Sequence, residues 1–71
     1  MGRMTKAAAK QLARSARRYG YHRHSATEGY LFCPRCRQPV TFYKLAWERF
    51  TATTMDAAVI AHLLEDCGSG R

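Results

Sequence analysis

A chain of 71 residues with 46% apolar content has room for one small domain, near the lower limit for independent folding. No apolar stretch approaches the roughly 20 residues that span a bilayer, which excludes a transmembrane helix, and a formal charge of +7 calls for a polyanionic partner. Three cysteines, an odd count, fit a secreted disulfide framework poorly, so the expected setting is a reducing, cytoplasmic one.

The first 25 residues carry Arg3, Lys6, Lys10, Arg14, Arg17, Arg18 and Arg23 and no acid. Residues 26–71 hold five basic and five acidic residues and sum to zero. No apolar core of a secretory signal is visible at the N-terminus, although an Arg-, Ala- and Ser-rich, acid-free start is also the composition of an organellar transit peptide. Lys6 stands where N-myristoylation needs Ser or Thr.

Residues 5–19 are predicted helical. Thr5 supplies an N-cap, the Ala-rich run has high helix propensity, and Gly20 ends it. Lys6, Lys10, Arg14 and Arg17/Arg18 recur at steps of three and four and make one basic stripe. The opposite side offers Ala9, Leu12, Ala13, Ala16 and Tyr19. That side is expected to be too thin to anchor in a core, so the helix is predicted to be an arm that orders on its partner. Residues 20–29, with Gly20, Ser25 and Gly29, are predicted to be a connector. The domain division expected is a basic arm and connector over 1–27 and a folded module over 28–71.

Residues 30–36 are predicted to form a short strand that runs into Cys33-Pro34-Arg35-Cys36. Residues 39–52 are rich in β-branched and aromatic side chains, which favours a hairpin with its reversal near 44–46. Phe42, Leu45, Ala46, Arg49 and Phe50 fit helical spacing as well. Residues 54–66 are predicted helical, with Thr53 as N-cap, Asp56 completing a capping box and Gly68 as the stop. The expected core is Tyr30, Leu31, Phe32, Val40, Phe42, Tyr43, Leu45, Trp47, Phe50, Val59, Ile60, Leu63 and Leu64.

Every cysteine belongs to one pattern: C-x2-C at Cys33 and Cys36, a gap of 25 residues, then H-x4-C at His62 and Cys67. This is metal-ligand spacing. Two thiolates flanking a tight Pro-Arg turn can face one cation, and a His and a Cys near a helix end can close the tetrahedron around zinc. A closed four-coordinate site is structural, and a core this small needs such a staple. His22 and His24 are rival fourth ligands. On an ideal helix His62 and Cys67 project about 140° apart, so the helix must loosen before both reach one ion. An iron–sulfur cluster and a CPxC redox pair are the alternatives. The pairing of ligands at both ends argues against the first, and the lack of length for a βαβ scaffold against the second.

At these residues the chain resembles the zinc-finger superfamily in its CCHC variant. The knuckle, the hairpin and a helix carrying the last two ligands are similar to a ββα finger, with Leu31, Val40 and Val59 at the hydrophobic positions. The resemblance covers about residues 30–68, and it departs from the pattern in its 25-residue gap, where about 12 is usual. Size, basic arm and lone finger also resemble short bacterial and phage zinc-finger proteins. The fold expected is therefore a small α+β, zinc-stapled domain: a basic N-terminal helix, then knuckle and β-hairpin, then a C-terminal helix.

No catalytic set emerges from the five carboxylates, and no Gly-rich phosphate loop is present. The function expected is non-enzymatic: binding of DNA or RNA through the seven cations of the first 25 residues, with stacking from Tyr19 and Tyr21. The alternative is a protein-interaction module that docks the arm on an acidic surface of the transcription or translation machinery. There Tyr43, Trp47 and Phe50 would supply hot spots.

Overall fold

The computed structural model describes residues 4–67 as α+β. Helix α1 (Lys6–Arg18) leads into strand β1 (His22–Arg23), then β2 (Glu28–Phe32), β3 (Pro39–Tyr43), helix α2 (Ala52–Ala61) and a π-helical turn (His62–Asp66). The three strands form one antiparallel sheet in the order β1-β2-β3. Both helices pack on the sheet face that carries Leu31, Val40 and Phe42.

Helix α1 starts as its sequence requires. The Thr5 side chain accepts from the Ala8 N–H, and Gly20, at φ +94°, ends the helix in the left-handed region open to glycine. Its alanine side is not too thin for a core, and this corrects the expectation of a loosely attached arm. Ala9 and Ala13 are fully buried and Ala16 nearly so, in the same cluster as Leu31, Phe42, Met55 and Val59. At spacings of four and three these alanines make a seam where the backbone of α2 approaches closely. Arg17 continues that contact. Its guanidinium donates to both carboxylate oxygens of Asp56 on α2, at 2.9 and 3.2 Å.

The predicted connector contains structure. His22 pairs with Tyr30 and Arg23 with Gly29, closed by a turn in which His24 and Ser25 N–H both donate to the Glu28 carbonyl. The strand that follows begins at Glu28, two residues before the predicted start. Gly29 is obligatory: a Cβ there would lie 2.9 Å from the Phe42 ring and 3.1 Å from the His22 carbonyl oxygen.

The hairpin is β2–β3, and its loop is the cysteine knuckle. The predicted reversal near 44–46 inside a hairpin over 39–52 is therefore corrected. Beyond Tyr43 the chain makes a turn over 45–48 in which Glu48 N–H donates to the Leu45 carbonyl and Leu45 N–H to the Glu48 carboxylate. Alternation along β3 sends Val40 and Phe42 inward and Thr41 and Tyr43 outward. Tyr43, Leu45 and Trp47, expected in the core, are exposed, Trp47 by 81%, and Phe32 is half exposed on the outer sheet face.

Helix α2 begins two residues earlier than predicted. Thr51, not Thr53, is its N-cap and accepts from the Thr54 N–H, and Asp56, expected in a capping box, is engaged by Arg17. The stop assigned to Gly68 lies outside the described residues. Among the described residues no helix is long and apolar enough to cross a membrane.

The alanine seam sets a volume constraint. Ala13→Leu should force α1 away from α2 and cost about 1–3 kcal/mol, read as a fall in melting temperature. Ala7→Leu, on the exposed side of the same helix, should leave the melting temperature unchanged.

Candidate metal centre

The two ends of the ligand pattern are brought together by different local devices. In the first, Cys33 follows directly on β2, with its N–H donating to the Gln38 carbonyl at 2.9 Å. Arg37 N–H donates back to the Cys33 carbonyl at 2.9 Å, and Arg35 N–H points at the Cys33 sulfur at 3.4 Å. Pro34 fixes the first turn dihedral. The chain leaves the knuckle through Arg37 at φ +64°, a left-handed conformation that costs a side-chain-bearing residue about 1–2 kcal/mol.

The second device is the π turn. Cys67 N–H donates to the His62 carbonyl at 2.7 Å, an i→i+5 closure that turns His62 and Cys67 toward the same side of the helix end. The helix loosens just where the ligand spacing demands it.

The outcome is one cluster. The sulfurs of Cys33, Cys36 and Cys67 and a ring nitrogen of His62 all lie within 4.8 Å of one another. Cys33 Sγ and Cys67 Sγ are 3.7 Å apart, and Cys36 Sγ and His62 Nε2 are 3.2 Å apart. A disulfide would need about 2.05 Å. Metal–sulfur bonds of about 2.3 Å at tetrahedral angles give S···S edges of about 3.8 Å, which the Cys33–Cys67 distance matches. The donor set therefore fits a metal ion. Cys33 is fully buried, and Cys36, His62 and Cys67 are partly so, as expected of a site that closes one side of a core.

Electrostatics in the chain alone favour a cation. Burial pushes the Cys67 thiol up to about 11, and the neighbouring Cys33 and Cys36 sulfurs add to it. Burial acts to raise Cys36 as well. Hydrogen bonds from the Gln38 backbone, His62, Cys33 and Cys67 outweigh it and bring Cys36 down to about 6. One thiolate is thus stabilised while its neighbour resists ionising, since like charges packed this closely disfavour each other. A divalent cation removes that conflict.

The other predicted site residues are distributed differently. Lys6, Lys10, Arg14 and Arg18 stand exposed along α1, Arg17 is held by Asp56, and Arg23 lies over the Phe50 ring at 5.9 Å from its centroid. Arg3 lies outside the described residues. His22 stacks on Tyr30 on the outer sheet face, centroids 5.0 Å apart, and neither it nor His24 belongs to the cluster. Sequence reasoning missed Arg37, whose left-handed backbone has no glycine or asparagine to announce it.

No protein-family model matches this chain, and no curated protein or solved structure matches it either. What stands on the geometry is a Cys3His cluster in a small α+β fold, able to hold a metal ion.

If the four donors act as one site, removal of any of them should be costly and removal of the bystander histidines should not. Cys36→Ser, His62→Ala and Cys67→Ser should each abolish cooperative thermal unfolding, because metal binding and folding are coupled in domains of this size. His22→Ala and His24→Ala should retain it. A His62→Ala chain that binds metal as tightly as the parent would remove His62 from the site.

Proposed function

We propose that this chain is a non-enzymatic, zinc-stapled module that binds nucleic acid. Zinc suits three thiolates and an imidazole at tetrahedral spacing, and the closed donor set leaves no position for a substrate, which makes the ion structural. Its contribution, an apparent ~10–16 kcal/mol in finger peptides, exceeds what a core of this size supplies.

The observation that carries the nucleic-acid reading is the exposed side of α1. Lys6, Lys10, Arg14 and Arg18 recur every four residues with no acid among them. Like charges at that spacing oppose helix formation by about 0.2–0.5 kcal/mol per pair. Arg17, the one arginine of α1 with a carboxylate partner among the described residues, is the one that faces α2. A helix held in place by its alanine side and loaded with cations on the other is suited to a row of phosphates. Because α1 is part of the core, the test of this reading is substitution rather than deletion.

A second reading rests on the turn after β3. Tyr43, Leu45 and Trp47 are all exposed, Leu45 by 52% and Trp47 by 81%, and such a patch is suited to a protein partner. The basic side of α1 would then meet an acidic protein surface.

Purified without added metal, the chain should carry one zinc per molecule. Its binding to a random duplex should weaken with salt, log K against log salt falling with a slope of about −4 if about four phosphates are neutralised. Exchanging Lys6, Lys10 and Arg14 for Ala should flatten the slope by about one unit for each phosphate no longer neutralised. Binding to an acidic protein control at low salt, with none to nucleic acid, favours the second reading.

A further inference from the structure

A groove of about 570 Å³ runs between the end of α1 and the cysteine knuckle. Ser15 and Tyr19 line the helix side, Phe32, Cys33 and Arg37 the knuckle side, and His22 lies between them. Among the described residues, no acidic side chain lines it.

Three features of this groove suit a flat, anionic guest. First, it is ringed by aromatics that the core does not use. Tyr19 is 89% exposed and Phe32 is 47% exposed. His22, stacked on Tyr30, meets the Phe32 ring edge-on at 5.7 Å, and Tyr30 meets Phe32 at 5.6 Å. Second, Arg37 holds its place at a cost. Its φ of +64° suits glycine, yet the chain puts an exposed cation there, on the groove wall. The knuckle holds that backbone in place through the Arg37 N–H bond to the Cys33 carbonyl, and so fixes where the cation leaves the chain. Third, the groove depends on the metal knuckle, since Cys33 lines it and the Cys33 carbonyl accepts from the Arg37 N–H.

At about 100° per residue, Ser15 and Tyr19 stand on the side of α1 opposite Lys6, Lys10 and Arg14. Arg18, the last cation of the stripe, stands about 60° from Ser15, but Lys6, Lys10 and Arg14 are apart from the groove and can be altered separately from it. A paired base cannot reach an aromatic slot of this kind, whereas an unpaired base stacks in it at little cost.

We propose that the groove binds an unpaired base of single-stranded nucleic acid, with Tyr19 and Phe32 as stacking partners and Arg37 on the adjoining phosphate. This rests on the nucleic-acid reading above and narrows it to single strands. DNA and RNA share the stacking and phosphate chemistry, so both are probed.

The test uses the full, metal-loaded chain and fluorescence anisotropy with labelled oligo(dT), oligo(U) and a mixed-sequence duplex at low salt. The single strands should bind more tightly than the duplex. Tyr19→Ala should weaken single-strand binding by about 5- to 150-fold, the range for loss of one stacked base. Tyr19 is almost wholly exposed, so this variant should melt like the parent. Arg37→Gly relieves the backbone strain; it should hold or raise the melting temperature while flattening the single-strand salt slope by about one unit. A stronger effect on oligo(U) than on oligo(dT) assigns the site to RNA, and the reverse to DNA.

Equal affinity for duplex and single strands, unmoved by Tyr19→Ala and Arg37→Gly but abolished when Lys6, Lys10 and Arg14 become Ala, overturns the groove assignment and leaves the nucleic-acid reading standing. No binding to any of the three probes overturns both.

Discussion

Four donor atoms from two distant stretches of chain must meet within 4.8 Å, and most of this fold is arranged around that meeting. Cys33 and Cys36 sit in the loop of the β2–β3 hairpin, and His62 and Cys67 sit past the end of α2. Joining them closes the chain from the sheet, across the turn after β3, through α2 and back to the hairpin tip. The i→i+5 turn at His62–Asp66 is the local concession that lets the closure happen, as it gives up regular α-helical bonding to bring His62 and Cys67 to one side.

The rest of the core is built of small residues and a few large ones. Leu31, Phe42, Met55, Val59 and Leu63 fill the centre, and Ala9, Ala13 and Ala16 let α1 lie close to α2. The Arg17–Asp56 pair crosses the same interface at its edge, partly in solvent, where its fork geometry fixes register more than it adds stability. The helix that carries the basic side chains is thus held rigidly by its other side. A cationic helix fixed to the core presents its charges in a set pattern, and a fraying arm does not.

How much of this was legible in the sequence differs by element. The clustering of Cys33, Cys36, His62 and Cys67 was, because thiol and imidazole spacing of this kind leaves few other pairings. Helix α1 and its Thr5 cap were legible too, because capping and propensity are local. Its burial was not, since alanine gives almost no hydropathy contrast, and only close approach to α2 makes Ala9 and Ala13 core residues. The aromatic run from Phe42 to Phe50 misled for the opposite reason. Size and hydrophobicity put Tyr43, Leu45 and Trp47 in the core, but strand alternation turns Tyr43 outward and the Glu48-closed turn carries Leu45 and Trp47 away from it. Strand β1 is two residues long and exposed, so its pairing with β2 leaves no pattern to read. The CCHC resemblance anticipated a C-terminal helix that loosens near His62 and Cys67, but the hairpin it relied on, over 39–52, is not the one formed, since the cysteine knuckle itself is the loop of β2–β3.

We propose that one ion, held by three sulfurs and one imidazole nitrogen, staples this fold. X-ray absorption at the zinc edge of the purified chain tests it most directly. A single four-coordinate shell is expected, with three sulfurs at about 2.3 Å and one nitrogen at about 2.0–2.1 Å. A shell with two or fewer sulfurs, additional oxygen ligands, or a metal–metal distance indicating a cluster would contradict it.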